Sequence, residues 1–175
     1  MTLKHRGSIN ELVYPFIYET SPLCDFEVLT DELAARLGGI AQHLEASCDD
    51  IRTDIATLVE WAFHLNGSIR GRQAIHEEHI SWLTQRYKHY QAELGDTVTS
   101  FVLPEGTAPV SELNLAKCNC KKVIRQMVVI DAAGIEIPPE LVRFTNLLAN
   151  WLFCVSMVIN KRRGFPIRTF VSQSY

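Results

Sequence analysis

Apolar residues recur along this chain at intervals of three and four, the spacing that stacks side chains on one face of an α-helix. Phe26, Leu29, Leu33, Leu37, Ile40 and Leu44 form the first series. Ile51, Ile55, Leu58, Val59 and Ala62 form the second, opened by Ser47, Asp49 and Asp50 and stopped by Gly67. The third runs over about 73–94 through Ile80, Leu83, Tyr87 and Tyr90, and Gly95 ends it. The fourth starts after Thr107, a good N-cap residue, with Pro109 in the first turn where a missing N–H is harmless, and continues to about residue 131. The fifth covers about 139–162. It closes on Lys161, Arg162 and Arg163, cations suited to the negative end of the helix dipole, with Gly164 and Pro166 beyond. No convincing alternating strand pattern is present.

Long amphipathic helices joined by short loops predict an all-α fold, a five-helix antiparallel bundle. The bundle domain is expected over 23–163, preceded by an N-terminal arm (1–22) and followed by a C-terminal tail (164–175). Within the arm, residues 9–18 are read as a short helix or an extended segment. The longest internal connection is 95–107, and long loops in compact helical proteins often carry function.

Composition narrows the picture. A chain of 175 residues that is 47% hydrophobic forms one domain with a real core. Seventeen basic and twenty acidic residues give a net charge of −3, and aromatics do not interleave with basic clusters, so a nucleic-acid surface is not expected. Five cysteines, Cys24, Cys48, Cys118, Cys120 and Cys154, sit mostly inside apolar or helical patterns. They point to reduced thiols in a cytoplasmic compartment. The polar, basic start and the following segment with Glu11 and Pro15 lack the pattern of a signal peptide. The apolar segment 147–159 is interrupted by Asn150 and falls short of the roughly 20 residues that cross a bilayer. It is therefore expected as a buried helix, with no membrane partner.

Candidate chemistry centres on the turn Phe101-Val102-Leu103-Pro104-Glu105-Gly106-Thr107 and the helix after it. At about 100° per residue, Leu113, Ala116, Cys120, Val123 and Met127 form the core stripe of that helix. Asn114, Lys117, Lys121 and Arg125 fall on a neighbouring face. Such a stripe is commonly a solvated basic face. Its place directly after the turn, and its shortage of acidic partners, favour fixed positive charge for an anionic ligand. Cys118 and Cys120 are about 200° apart around the helix and cannot share a metal. His76 and His79, beside Glu77 and Glu78, fall short of a zinc ligand set, so no protein metal site is expected. No Walker loop, dinucleotide fingerprint or nucleophile elbow is present.

Four ordered segments resemble the PduO-type ATP:cob(I)alamin adenosyltransferases. Asp31-Glu32-Leu33 with Leu37-Gly38 is similar to the family's Val-Asp-Glu-Leu-Asn-x-x-Ile-Gly. Residues 101–107 are similar to its Phe-x-Leu-Pro-Gly-Gly-Thr turn, and 113–125 to its arginine-rich helix. Phe144-Thr145-Asn146-Leu147-Leu148 with Leu152-Phe153 is similar to its last helix. The resemblance implies a homotrimer with active sites between subunits, in which cob(I)alamin attacks the 5′ carbon of ATP and triphosphate leaves. It implies ATP, cobalamin and Mg2+ as ligands. Phe101 would press on the lower face of the corrin, and Asp31 would pair with Lys117 across the subunit boundary. Lys117 and Lys121 would contact the triphosphate, with Asn114 and Arg125 on the same binding face, and Asn146 would touch nucleotide or corrin.

The chain departs from the family at several of these positions. Lys117, Lys121 and Lys122 replace arginines, Asn114 a histidine, Glu105 a glycine, Ile124 a glutamate and Asn150 an aspartate. The N-terminal Thr-Gly-Asp-x-Gly phosphate loop has no counterpart in residues 1–22. The alternative implied by these departures is a trimeric paralogue that binds a corrinoid or nucleotide without catalysis.

Overall fold

The computed structural model describes residues 3–174. Five α-helices make up the fold: α1 Pro22–Gln42, α2 Asp49–Gly67, α3 Glu77–Leu94, α4 Ala108–Ala132 and α5 Pro139–Arg162. Single 3-10 turns lie at Ile9–Glu11, Ala46–Cys48 and Gly95–Thr97. The start of α4 at Thr107 and both bounds of α5 fall where the sequence pattern puts them. Helix α1 begins earlier than its first apolar series, because Ser21 accepts a hydrogen bond from the Leu23 amide and Pro22 occupies the first turn. Helix α3 begins at Glu77 rather than near residue 73. The Gln73 amide is engaged by the Ile75 carbonyl (2.9 Å) and by Glu140 (3.3 Å), and Ile75 is fully buried, which keeps this stretch out of the helix.

Helix α1 packs on α2 and α4, and α5 packs on α4 and α3. Side chains close the ring between α2 and α3, through Asp54–Arg86 and the edge-on pair Trp61–Trp82. Arg36 of late α1 meets Glu112 of early α4, and Gln126 of late α4 donates to the Pro22 carbonyl, so those two helices run antiparallel. Five helices in a closed ring cannot alternate at every contact. The exception is α3 beside α5: Glu77 pairs with Arg143 at their starts and Glu93 with Arg162 at their ends, so this pair is parallel. The connection 95–107 therefore leaves α3, passes over the end of α5 and enters α4 on its other side.

Helix α5 is the most enclosed element, with residues 154–160 all buried in succession. Taken whole, it is long and apolar enough to cross a membrane by length and composition, which the shorter run 147–159 concealed. Burial against its neighbours accounts for that composition as core helix. Its large side chains Phe144 and Trp151 pack on Trp61 and Tyr90. Each fully buried side chain of this size contributes on the order of 1.5–3 kcal/mol. Two carboxylates are buried among the described residues, Asp54 and Glu27. The Asp54 carboxylate accepts from Arg86 Nε (2.7 Å) and from the Tyr90 hydroxyl (2.8 Å), and burial pushes the Tyr90 pKa up. All five cysteines are free; Cys120 is buried in the core stripe of α4 as expected, and Cys118 is exposed.

Candidate active site: a cation-lined recess under the 95–107 loop

Three elements meet midway along the α4–α5 seam. Helix α4 contributes Lys117 and Lys121, α5 contributes Ala149, Asn150 and Phe153, and the loop contributes residues 98–102. They enclose a recess of about 590 Å³. Its geometry follows from the helical repeat. The buried stripe Leu113, Ala116, Cys120, Val123 and Met127 turns one face of α4 inward, leaving the lysines beside it at the edge of the α4–α5 seam.

Lys117 is half-buried there. Its Nζ donates to Asn114 Oδ1 at 2.9 Å and lies 5.2 Å from the centre of the Phe153 ring. Burial lowers its pKa below the ordinary lysine value, and the neighbouring Lys121 charge lowers it further. Lys121, one turn on, is exposed. Phe101 stands at the rim with 84% of its surface open.

The turn that carries Phe101 is anchored to the end of α5. Asn160 Nδ2 donates to the Glu105 carbonyl at 2.8 Å, and Arg163 donates to the Thr107 hydroxyl. A Cβ at Gly106 would lie 2.5 Å from both Asn160 Oδ1 and Val110 Cγ1, so this close approach requires glycine. The Glu105 carboxylate is held by Arg168 in a two-pronged ion pair, which also lowers its pKa. Its negative charge is thereby neutralised beside the recess.

Phe101, Lys117 and Lys121 thus come together as the sequence suggests, while the other candidates occupy different places. Asn114 is buried, donates to the Val110 carbonyl at 3.0 Å and serves as the tether of Lys117. Arg125 does not line the recess; it lines an adjoining groove with Leu29 and Val129, and Lys121 borders both. Asn146 is exposed, donates to the Val142 carbonyl of its own helix, and does not line the recess; Asn150, one turn later, does. Asp31 is exposed in another recess, with Tyr14, Val28 and Phe63. Within one chain it is apart from the lysines.

His76 and His79 have structural roles. His79 Nδ1 accepts from the His76 amide at 3.1 Å at the start of α3, and its ring packs edge-on against Trp61 at 4.7 Å. Asp50, His89 and Glu93 approach one another closely enough to hold a cation. The Arg162 guanidinium already occupies both carboxylates, at 2.7–2.8 Å.

The N-terminal arm packs on the opposite flank of α1. Arg70 binds Glu27 at 2.6 Å and Glu19 at 2.9 Å and lies over the Phe16 ring, while the Tyr14 hydroxyl donates to Glu27 at 2.5 Å. Burial, and then the bond to Glu27, push the Tyr14 pKa up to about 12. Sequence reasoning missed Phe153 as a wall of the recess and missed the C-terminal tail as a support of the turn. The i, i+3 pair Asn150 and Phe153 carried the first signal; nothing in the pattern carried the second.

The family model described as cobalamin adenosyltransferase matches residues 17–159. The chain belongs to this family. It is 26% identical over 141 residues to the corrinoid adenosyltransferase of Bacillus subtilis, covering 77% of this chain and 72% of that protein. It is also 26% identical over 138 residues to the cobalamin adenosyltransferase of Cupriavidus metallidurans, with the same coverage. Its fold superposes on PduO-type ATP:corrinoid adenosyltransferase variants from Lactobacillus reuteri. One is complexed with ATP (TM-score 0.78, 19% identity, 88% of this chain and 90% of that one). Another is complexed with cobalamin and ATP (TM-score 0.78, 18% identity, 89% of each chain). At this level of identity the structural likeness shows a shared fold. Family membership rests on the match across most of the chain.

Proposed function

We propose that this protein transfers the adenosyl group of ATP to cob(I)alamin at the recess formed by Phe101, Lys117 and Lys121. One observation carries the reading: in a chain of the cobalamin adenosyltransferase family, Phe101 of the loop and Lys117 and Lys121 of α4 line one cleft. The transferase activity belongs to the family and to the named relatives.

The chemistry suits the geometry. A Co–C bond forms at the 5′ carbon as the C–O bond to triphosphate breaks, and negative charge accumulates on the leaving group. Cations fixed beforehand beside that charge lower the barrier more than mobile ones, because they need no reorganisation. Lys117 is fixed by Asn114 and Phe153. Lysine supplies the charge without the bidentate fork of arginine, so aim depends on that tether. Burial lowers the pKa of its ammonium, and a polyphosphate beside it would raise it. Phe101 supplies an apolar face that keeps water from the metal side of the corrin. In this reading Mg2+ enters with ATP, held by phosphate oxygens and water, as is usual for this cation.

The working unit in this reading is a homotrimer with the site between subunits. Supporting it, the recess is open at Phe101 and Lys121, and Asp31 is exposed elsewhere on the chain, free to face Lys117 of a neighbour. Five free thiols support a cytoplasmic setting. The direct test is reduced cobalamin with MgATP, followed by the spectral change of Co–C bond formation. Binding of both ligands without that change would replace the enzyme with the non-catalytic paralogue.

A further inference from the structure

Phe101 touches little with its ring, so its position is set by its backbone. That backbone is held from an unexpected side. After α5 the chain turns at Gly164, whose φ of +62° lies in the left-handed region, and runs back along the 101–105 segment. The Leu103 amide donates to the Arg168 carbonyl at 2.9 Å, and the Phe170 amide donates to the Phe101 carbonyl at 2.7 Å. Val102 and Thr169 form an antiparallel bridge between them. The Arg168 side chain then reaches forward to Glu105, with Nε 2.7 Å from Oε2 and a second bond to Oε1. Two successive backbone bonds and one bidentate ion pair thus clasp the tail to the turn.

We propose that the tail segment 168–170 is a positioning element for adenosyl transfer and that Arg168 is its positioning residue: through Glu105 and the two backbone bonds it holds the Phe101 ring at the rim of the cation recess. The assignment rests on the adenosyl-transfer reading. It also gives a physical use to Glu105, which stands where the family turn has glycine. A free carboxylate there would repel triphosphate, whereas one bound to Arg168 carries no net charge toward the recess and locks the turn instead. A bidentate guanidinium–carboxylate pair fixes direction as well as distance, which a lysine at 168 would not do.

Three variants test the clasp in the full chain. Phe170→Pro removes the N–H that reaches the Phe101 carbonyl while leaving the bundle core untouched. Its kcat for adenosylation is expected to fall about tenfold, since small misplacements of a positioned group are costly, with KM for ATP within about twofold. Arg168→Gln is expected to lower kcat about fivefold, a smaller loss because the pair is exposed. The reversed pair, Glu105→Arg with Arg168→Glu, should recover at least about half of the loss of Arg168→Gln, because it restores the same bidentate bond. Circular dichroism and thermal midpoint, unchanged in all three, establish that the bundle is folded.

An unchanged kcat in Phe170→Pro, a loss confined to KM, or no recovery in the reversed pair overturns the proposal. Absence of turnover in the unaltered protein is a failure of the functional reading and is seen before any variant is compared. The clasp is then decided by amide hydrogen exchange. Faster exchange at Leu103 in Arg168→Gln sustains it as the restraint on the turn, and unchanged protection overturns it.

Discussion

Lys117 and Asn114 form a tethered pair on α4: the ammonium donates to the side-chain carbonyl oxygen at 2.9 Å, and the same amide is itself fixed by donating to the Val110 carbonyl. The helix backbone thereby aims a charge through two hydrogen bonds. Lys117→Ala is expected to lower kcat/KM for ATP by about a hundredfold, the usual cost of losing one preorganised group beside developing charge. Lys117→Arg keeps the charge and should retain most of the activity. Steady-state kinetics at varied ATP would expose the idea as wrong if alanine were tolerated.

Phe101 contributes its exposed ring to the recess and almost nothing to the core. Phe101→Ala should therefore leave unfolding free energy within about 0.5 kcal/mol of the parent, as surface substitutions do. Adenosylation should fall sharply in the same variant. Paired urea melts and turnover assays check this, and a destabilised variant or an unimpaired one would each contradict it.

Asp54 is nearly buried, and Arg86 is its only cationic partner among the described residues, at 2.7 Å. Arg86→Met leaves that carboxylate with the Tyr90 hydroxyl alone. The expected loss is about 2–3 kcal/mol, somewhat below the cost of breaking a fully buried pair because Arg86 retains partial exposure. Chemical denaturation reads it directly, and a loss below a few tenths would show that the charge is solvated.

Acid should loosen the α2–α3–α5 end. Hydrogen bonds from Arg162 lower the Asp50 pKa from its ordinary 3.8 to about 2, and they also lower that of Glu93. A depressed folded pKa contributes stability that is fully present above the unfolded value and is lost as pH falls through the folded one. Stability should therefore decline between about pH 4 and pH 2. In Arg162→Leu that part of the slope should flatten, because the carboxylates no longer differ as much between folded and unfolded states. Thermal midpoints across this pH range in both proteins provide the comparison.

Much of the fold was legible because helices write themselves locally. Thr107 and Pro109 marked the start of α4, although the Thr107 hydroxyl accepts from Arg163 and makes no capping bond, and the run of cations after Asn160 marked the end of α5. The residues that converge on the recess from α4 and the loop were legible through family motifs. Partnerships between distant segments were not. The tail over 165–171 makes one bridge, too little to leave an alternating pattern. Asn146 and Asn150 are one turn apart with the same side chain, and only the seam between α4 and α5 decides which lines the recess. The parallel α3–α5 seam depends on ring order, which short loops alone do not specify.

Helix α5 is made after α3 and α4 yet sits between them, and it carries the floor of the recess in Ala149, Asn150 and Phe153. During synthesis, four helices emerge before the slot they leave is filled. A nascent chain halted before this last insertion would possess its lysines and its rim phenylalanine and still have no chamber. Ligand competence is therefore acquired late, and maturation of the cleft coincides with consolidation of the core.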